Sequence, residues 1–319
     1  MPRLRSLVLI VAAITLLSAG CGLAAAPVQG SSSPGPTINE DWPDPFVFAA
    51  QGQYYSYSTA NGHGHIPVAV SSDLAHWRVL GDALPHRPSW TNDGPWAPTV
   101  IQIGNQFVMW YTTRYTATGR VCITSAVSAN PVGPFVDNSN APLICGSSDN
   151  IDPDLFTGLD GAHYVTWRHM DDGVAPEGVW SARLAADARS INWSTSTMVM
   201  LTTNGWERYS AENPTMLVTL GGYWLFYSGN AWYTDRYAVG VQQCNGPLGP
   251  CHAVYDGPIL ASRGLMQGPG GSSLVFTPSG GLFMAFHAWT YPKIGYPSGG
   301  VRKMFMLPVT FPKGNPVVG

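Results

Sequence analysis

A short unit that recurs five times along the chain constrains the fold more than any other feature. Each copy has a brief opening, an apolar strand, a turn that contains glycine and a second strand rich in aromatic residues. The starts of the copies lie 53, 55, 61 and 58 residues apart, which is typical of an architecture built from repeats. The copies occupy residues 44–58, 97–111, 152–167, 213–228 and 271–287.

A second motif follows most copies and supplies the remaining strands of each repeat. Two motifs per repeat give about four strands, which is the content of one propeller blade. The sequence therefore predicts an all-β fold, a five-bladed β-propeller that forms a single domain, with residues 301–311 completing the last blade. A β-sandwich, which also has short and regular strands, is the alternative. The second motif occurs at residues 68–77, 124–135, 180–193 and 239–251.

Composition agrees with a rigid protein that is rich in turns. The 319 residues include 36 Gly and 27 Pro, together with 12 Trp, 14 Tyr and 11 Phe, and only 11% are charged. Such a profile excludes a disordered chain. Without residues 1–21 the chain has 14 basic and 19 acidic residues, a net charge of −5, and it lacks a basic stripe. We therefore expect no nucleic-acid partner.

Residues 1–21 have the features of an export signal. Arg3 and Arg5 precede an apolar run that is too short to span a membrane comfortably. The run leads into a stretch that resembles a lipobox, so we predict a lipoprotein-type signal peptide with Cys21 lipidated. Ordinary signal cleavage near residue 26 is the alternative.

The next segment is rich in Ala, Pro, Gly and Ser, which predicts a flexible linker over residues 22–38. Residues 39–319 then form the propeller domain. We expect an exported monomer, either a lipoprotein of the cell envelope or a secreted protein. Its membrane contact would be made only through the lipid anchor at Cys21.

Four further cysteines allow three disulfide pairings. The simplest solution joins near neighbours, Cys122 to Cys145 and Cys244 to Cys251, so that each bond closes a short surface hairpin. Disulfides suit an exported protein. No C-x-x-C spacing is present, so a zinc site is not expected.

Two acidic residues occupy the same position of the repeat, and a third lies beside it. Asp44 and Asp152 open their copies, and Glu212 precedes the first residue of the fourth copy. Because the starts of the innermost strands converge in a propeller, these three carboxylates should face one funnel. Clustered carboxylates perform glycoside hydrolysis, in which one protonates the leaving oxygen and another activates water. The alternative is that Asp-Pro pairs merely begin turns.

Several tryptophans lie at the openings of the copies or in the loops between blades, where sugar rings would stack on them. Trp42 and Trp96 are the main candidates for substrate contacts. Packing in the core or between blades is the alternative for each tryptophan. The set comprises Trp42, Trp96, Trp206, Trp232 and Trp289.

Six short motifs occur in a fixed order, at residues 42–46, 94–100, 151–154, 211–214, 268–271 and 286–288. Together they resemble glycoside hydrolase family 43, the five-bladed propeller hydrolases of arabinan and xylan. The resemblance implies that Asp44 is the general base and Glu212 the general acid, whose pKa and orientation are tuned by Asp152. It also implies inversion, with base and acid about 6.5–9.5 Å apart. Asp41, Asp154 and Glu207 lie nearby but outside the matched positions.

The same resemblance implies roles for two residues of the last repeat. Arg302 would reach the central site and bind substrate. His287 would lie near the channel axis, where it would contact substrate and help to hold a cation, often calcium. Gly271 stands where many members of the family have histidine, so one group associated with the metal is missing. We therefore expect no required cofactor, with a structural Ca²⁺ in the central channel as the alternative.

These features predict an exported glycosidase that cleaves arabinofuranosyl, or next xylosyl, linkages in polysaccharides or oligosaccharides. The alternative is a surface propeller that binds glycans with little or no catalysis, which the departure at Gly271 and the lipid anchor favour. Retention of all three acids favours the enzyme.

Overall fold

The computed structural model describes residues 34–203 and 205–319, and these residues form the five-bladed β-propeller that the repeat predicts. The predicted signal peptide, with Cys21, and most of the predicted linker lie outside this range. Within it, no helix has the length and apolar character needed to cross a membrane. Thr37 makes a backbone contact with the propeller. Its N–H donates to the carbonyl of Met304 in the last blade, at 2.8 Å.

The strands follow one another blade by blade. Blade 1 contains β1 (Phe46–Ala50), β2 (Gln53–Tyr57), β3 (Pro67–Ser71) and β4 (Arg78–Asp82). Blade 2 contains β5 (Trp96–Ile103), β6 (Gln106–Arg114) and β7 (Val121–Ser128). Blade 3 contains β8 (Asn150–Thr157), β9 (His163–His169), β10 (Gly178–Arg183) and β11 (Thr197–Leu201). Blade 4 contains β12 (Ala211–Thr219), β13 (Gly222–Gly229), β14 (Ala238–Cys244) and β15 (Cys251–Ala253). Blade 5 contains β16 (Met266–Phe276), β17 (Leu282–Thr290), β18 (Lys303–Thr310) and β19 (Val317–Val318).

Two short 3-10 helices, Trp193–Thr195 and Tyr296–Ser298, lie in loops. Each blade is an antiparallel sheet whose strands pair in chain order. The innermost strands β1, β5, β8, β12 and β16 contact one another in that order, and β16 contacts β1, so the ring is closed. The two strands of each repeated unit are thus the two inner strands of a blade.

Blade 2 differs from the prediction because it has three strands instead of four. The chain after β7 contains Pro131 and Pro134, which lack the N–H that a strand ladder needs. Single β-bridges from Val127 to Val136 and from Ile123 to Ile144 take the place of the fourth strand.

Separate apolar clusters fill all five interfaces between neighbouring blades. Blades 4 and 5 enclose Phe226 and Phe286, for example, and blades 2 and 3 enclose Trp110 and Trp167. Both faces of a blade therefore bury side chains, which explains why the inner strands read as nearly continuous apolar runs.

Both predicted disulfides are confirmed. Cys122 on β7 is bonded to Cys145, and the β-bridge between Ile123 and Ile144 lies directly beside this disulfide. Cys244 and Cys251 face each other across the β14–β15 pair.

Candidate active site

One residue near the start of each innermost strand adopts a left-handed backbone conformation. The φ angles are 50° at Asp44, 42° at Ala97, 57° at Asp152, 46° at Asn213 and 58° at Gly271. In blades 2 to 5 the residue lies at a β-bulge. Non-glycine residues in this region cost of order 1–3 kcal/mol each, and such strain clusters at functional sites. A bulge redirects side chains, so it explains why an acid stands before proline here.

The backbone N–H of each of these residues bonds to a side chain of the inner sheet. Four of them donate to the second strand of the preceding blade, or to the residue shortly after it. These bonds are Ala97 to Thr59 at 2.9 Å, Asp152 to Thr112 at 2.9 Å, Gly271 to Ser228 at 2.9 Å and Asp44 to His287 at 3.0 Å. In blade 3 the equivalent residue is Arg168, which has no acceptor, and Asn213 donates to Asp152 Oδ2 at 3.0 Å instead.

A cleft of about 340 Å³ opens at this end of the propeller, and all three predicted carboxylates line it. Trp96 and Arg302, both predicted to contact substrate, line it as well. The full lining comprises Asp44, Thr59, Trp96, Ile151, Asp152, Glu212, Asn213, Trp232 and Arg302.

Asp44 is held as a carboxylate. Thr59 Oγ1 donates to its Oδ2 at 2.7 Å, and Arg302 Nη1 lies 3.4 Å from the same oxygen. Burial raises the pKa of Asp44, but the charge of Arg302 and the hydrogen bond from Thr59 outweigh burial, and the pKa falls below its usual value. The side chain is therefore ionised over the range in which a general base must accept a proton.

Glu212 has a donor on each carboxylate oxygen. Tyr237 Oη donates to Oε1 at 2.8 Å, and Arg168 Nη1 donates to Oε2 at 2.6 Å. Burial raises the pKa of Glu212, and the attraction of Arg168 opposes this only in part.

Asp152 is 8% exposed and lies beside Glu212. Burial raises its pKa well above the usual value, and the negative charges of Glu212 and Asp44 raise it further. Two buried carboxylates that repel each other titrate as a coupled pair, and repulsion raises the pKa at which the pair loses its last proton. The cleft thus combines Asp44, whose pKa is lowered, with two carboxyl groups whose pKa values are raised.

Arg302 packs among aromatic rings. Its guanidinium carbon lies 4.8 Å from the ring centroid of Trp232 and 5.7 Å from that of Tyr296. Asp41 Oδ1 accepts the Arg302 N–H at 2.9 Å and so fixes the backbone of this residue.

Two predicted substrate contacts are corrected by the structure. Trp42 is 0% exposed, packs between blades 1 and 5, and donates its Nε1–H to Ser56 Oγ at 2.9 Å. His287 is also 0% exposed and lies behind Asp44. Neither side chain presents a surface to the cleft, because each fills space between strands.

His287 does not fit the role of a metal ligand. Its Nδ1 accepts the Asp44 N–H, and burial lowers its pKa to about 3, so the ring is neutral with its hydrogen on Nε2. A nitrogen that carries hydrogen has no lone pair for a cation. Nε2 is buried without a hydrogen-bond partner among the described residues. No group of three or more His, Cys, Asp or Glu suited to a metal occurs in residues 34–203 and 205–319.

The three competing acids do not line the cleft. Asp41 holds Arg302, as described above. Asp154 lines a cavity of about 30 Å³ on the axis and accepts the Met216 N–H at 2.8 Å. Glu207 is buried and accepts the hydroxyl of Tyr227 at 2.9 Å. These contacts give each acid a structural role.

Three residues of the site were not predicted from the sequence: Thr59, Arg168 and Tyr237. Thr59 and Arg168 come just after the first and third copies of the repeated unit. None of the five copies contains Lys or Arg. A positively charged residue directly after a copy is therefore unusual, and this is the sequence signal that could have identified Arg168. Tyr237 lies outside the repeated units, and no sequence signal distinguishes it.

A larger groove, of about 990 Å³, lies at the opposite ends of β12 and β16, beside Leu220 and Phe276. None of its lining residues is ionisable, so it offers no acid or base. The smaller cleft, which all three carboxylates line, is therefore the candidate site.

Comparison with known proteins agrees with this geometry. The family model described as glycosyl hydrolases family 43 matches residues 33–316. A probable arabinan endo-1,5-alpha-L-arabinosidase A from Aspergillus flavus is 28% identical over 304 residues, which cover 86% of this chain and 90% of that protein.

Solved structures show the same fold. A thermostable family-43 glycoside hydrolase has a TM-score of 0.78 at 27% identity, with 88% of this chain and 95% of that chain covered. An endo-1,4-beta-xylanase from Bacteroides thetaiotaomicron has a TM-score of 0.76 at 25% identity, with 90% and 97% covered. The chain therefore belongs to glycosyl hydrolases family 43 and is a glycosidase.

Proposed function

We propose that this glycosidase is exported and cleaves arabinofuranosyl linkages in polysaccharides or oligosaccharides by an inverting mechanism. Xylosyl linkages are the next candidates. The observation that carries the proposal is that Asp44, Asp152 and Glu212 line one cleft, where Arg302 lowers the pKa of Asp44 and burial raises the pKa values of the other two. The arabinan specificity named for the Aspergillus flavus relative supports the sugar, and the xylanase named among the similar structures supports the second choice.

The residues divide the reaction between them as follows. Asp44, kept ionised by Arg302, removes a proton from the attacking water. Glu212 donates its proton to the leaving oxygen, and burial, together with the negative charge of Asp44, raises its pKa and so favours the protonated form. Asp152 titrates together with it. Trp96 and Trp232 supply aromatic surface at the cleft. No step requires a metal ion, and we propose that the enzyme needs none.

The cellular setting is part of the proposal. We propose that residues 1–21 direct export, that Cys21 carries lipid, and that residues 22–38 tether a monomeric propeller to the envelope. Mass spectrometry of the mature N-terminal peptide should find acyl chains on Cys21. Cys21→Ala should release active protein into the medium, and size-exclusion chromatography with light scattering should give one chain per particle.

Hydrolysis by wild type and two variants tests the chemistry. Aryl α-L-arabinofuranosides, aryl β-D-xylosides and arabinan should be assayed with Asp44→Asn and Glu212→Gln. Because general acid or base catalysis contributes about 10²–10⁴-fold, kcat should fall by that order in each variant. Asp187→Asn, in an exposed turn of blade 3, is the matched control and should keep wild-type activity. Wild-type kcat in both cleft variants would contradict the assignment.

The stereochemical proposal needs its own measurement. Proton NMR of the first product formed from an aryl α-arabinofuranoside should show the β anomer before mutarotation. An α anomer would mean retention and would reassign Asp44 as a nucleophile. Binding of arabinan without any turnover would support the glycan-binding alternative instead.

A further inference from the structure

Arg168 holds two carboxylates at once. It is 8% exposed and extends from the end of β9, beside the cleft. Its Nη1 donates to Glu212 Oε2 at 2.6 Å, and its Nη2 donates to Glu177 Oε1 at 2.5 Å. Contacts this short between charged groups are charge-assisted and strong. The guanidinium is therefore shared between the proposed general acid and a second glutamate.

The position of Arg168 within the repeat is informative. The equivalent residues of the other blades are Thr59, Thr112, Ser228 and His287, and each accepts an N–H from the next blade. Arg168 cannot accept, and Asp152 accepts the Asn213 N–H in its place. Asp152 therefore makes the hydrogen bond that this position makes in the other blades. Arg168 is consequently available for another task.

A cation in this place opposes the chemistry proposed for Glu212. A general acid must carry a proton, but donors on both oxygens favour the carboxylate. Glu177 lies on the other side of the guanidinium, directly before β10, and does not line the cleft. Its side chain is 22% exposed, against 12% for Glu212, so it is the more solvated of the two partners.

We propose that Arg168 and Glu177 are positioning residues that set how firmly Glu212 holds its proton, because the guanidinium divides its charge between the two carboxylates. This inference rests on the proposed role of Glu212 as general acid. When Glu212 is protonated, Glu177 keeps the buried guanidinium paired, which avoids the large cost of an isolated buried charge. When Glu212 has given up its proton, Arg168 stabilises the carboxylate that remains.

Other charged and titratable groups also face Glu212, and they are unchanged in variants of Arg168 or Glu177. One lies on β8, one on β17, where the histidine is neutral, and the others lie in the segments before β1, β14 and β18. These groups are Asp152, Asp44, Tyr237, Arg302 and His287. Arg168 also lowers the pKa of Asp152, so the shift that follows a change at Arg168 or Glu177 is read on the coupled Asp152–Glu212 pair.

Opposite shifts are expected from the two partners. Arg168→Thr removes the cation and installs the residue found at two equivalent positions of the repeat. The pKa of Glu212 should then rise by about one unit or more. Glu177→Gln removes the competing carboxylate and leaves the full charge of Arg168 on Glu212, whose pKa should fall. The basic limb of kcat/KM against pH, which reports the acid in the free enzyme, should move up in the first variant and down in the second.

The pKa of Glu212 is directly measurable because the chain contains only four glutamates, Glu40, Glu177, Glu207 and Glu212. Protein labelled with [δ-¹³C]glutamate gives four carboxyl resonances, and Glu212→Gln and Glu177→Gln assign two of them. The midpoint of Glu212 is then followed by NMR across the pH range in wild type and in each variant. This readout requires no substrate.

Arg183→Met is the matched control, since Arg183 is exposed on the neighbouring strand β10. It should leave both the midpoint of Glu212 and the pH profile unchanged. If Arg168→Thr does not fold, Arg168→Lys and Glu177→Gln still test the inference. A midpoint of Glu212 that is the same in all variants would overturn it, even if the enzyme hydrolyses arabinofuranosides. Opposite shifts in a protein with no turnover would uphold the charge sharing and refute the proposed function.

Discussion

The rings of Tyr237 and His287 are stacked, with centroids 5.8 Å apart and planes inclined by 13°. The hydroxyl of Tyr237 donates to Glu212, and Nδ1 of His287 accepts from the backbone of Asp44. The proposed acid and the proposed base are thus held by two aromatic rings in direct contact, so a change in one ring should reach both sides of the cleft.

Tyr237→Phe should separate the effect of the hydrogen bond to Glu212 from the effect of the ring stack on His287. Phenylalanine keeps the stack but removes a hydrogen bond that lowers the pKa of Glu212. The basic limb of kcat/KM should therefore move to higher pH, while the acid limb, which belongs to Asp44, should stay in place. Tyr237→Leu removes the ring as well and should disturb both limbs. Equal profiles for the Phe and Leu variants would show that the stack has no role.

Metal removal should leave the enzyme active. Nε2 of His287 carries hydrogen, as argued above, so the ring is not available to a cation. We expect dialysis against EDTA to change kcat and the melting temperature by no more than the error of each measurement. Restoration of lost activity by added Ca²⁺, but not by Mg²⁺, would contradict this expectation.

The repeat predicted most of the fold because every blade packs against its neighbours through the same pattern of two apolar inner strands. The first residues of the five copies all adopt the left-handed backbone conformation, and they are Asp44, Ala97, Asp152, Asn213 and Gly271. Their shared position in the repeat was visible in the sequence, whereas their backbone conformation, which is held by side chains of neighbouring blades, was not predicted. The three-stranded blade 2 was not predicted either, because prolines in a connecting segment do not decide it alone: the segment after β14 also contains two prolines and still forms β15.

The site was predictable where repeat symmetry placed a residue and unpredictable where contacts cross between blades. Asp44 and Asp152 follow from symmetry. Trp42 was misassigned, because position in a motif does not reveal whether a ring faces the cleft or the next blade. Arg168 and Tyr237 reach Glu212 from other strands, and pairings of this kind are a property of tertiary structure.

Gly271→Ala should displace the proposed base, Asp44, although the two residues are far apart in sequence. A Cβ at this position would lie 2.6 Å from Nδ1 of His287 and 2.8 Å from Oδ1 of Asp44, and the φ of +58° disfavours any side chain. Either His287 or Asp44 must then move. We expect a loss of at least about 10-fold in kcat, together with a lower melting temperature. Gly280→Ala, at φ +84° in an open turn, is the control for backbone strain alone and should keep wild-type kcat.

Asp154→Asn should stabilise the protein at neutral pH. Burial raises the pKa of Asp154 to about 7, so the folded state retains a proton that the unfolded chain has lost. Stability therefore falls as the pH rises from about 4 to about 7, by up to about 1.4 kcal/mol per pH unit. Asparagine cannot ionise and should remove this fall. Melting temperatures of wild type and variant should be close at pH 4 and should diverge up to pH 7, with no further divergence above it. A constant difference would show that Asp154 does not titrate in this range.

Arg302→Met removes a positive charge and should leave less of Asp44 ionised at acidic pH. Burial alone would raise the pKa of Asp44, and the attraction of Arg302 reverses this. Without the guanidinium, the pKa of Asp44 should rise by about one unit or more, because an opposite charge at such a distance lowers a carboxyl pKa by 1–3 units. A general base must be ionised, so the acid limb of kcat/KM should move to higher pH, and activity at pH 5 should fall further than activity at pH 8. Arg302→Lys keeps the charge and should restore the acid limb in part, even where it does not restore the packing against Trp232. A limb that stays in place in the Met variant would mean that Arg302 acts on substrate and not on Asp44.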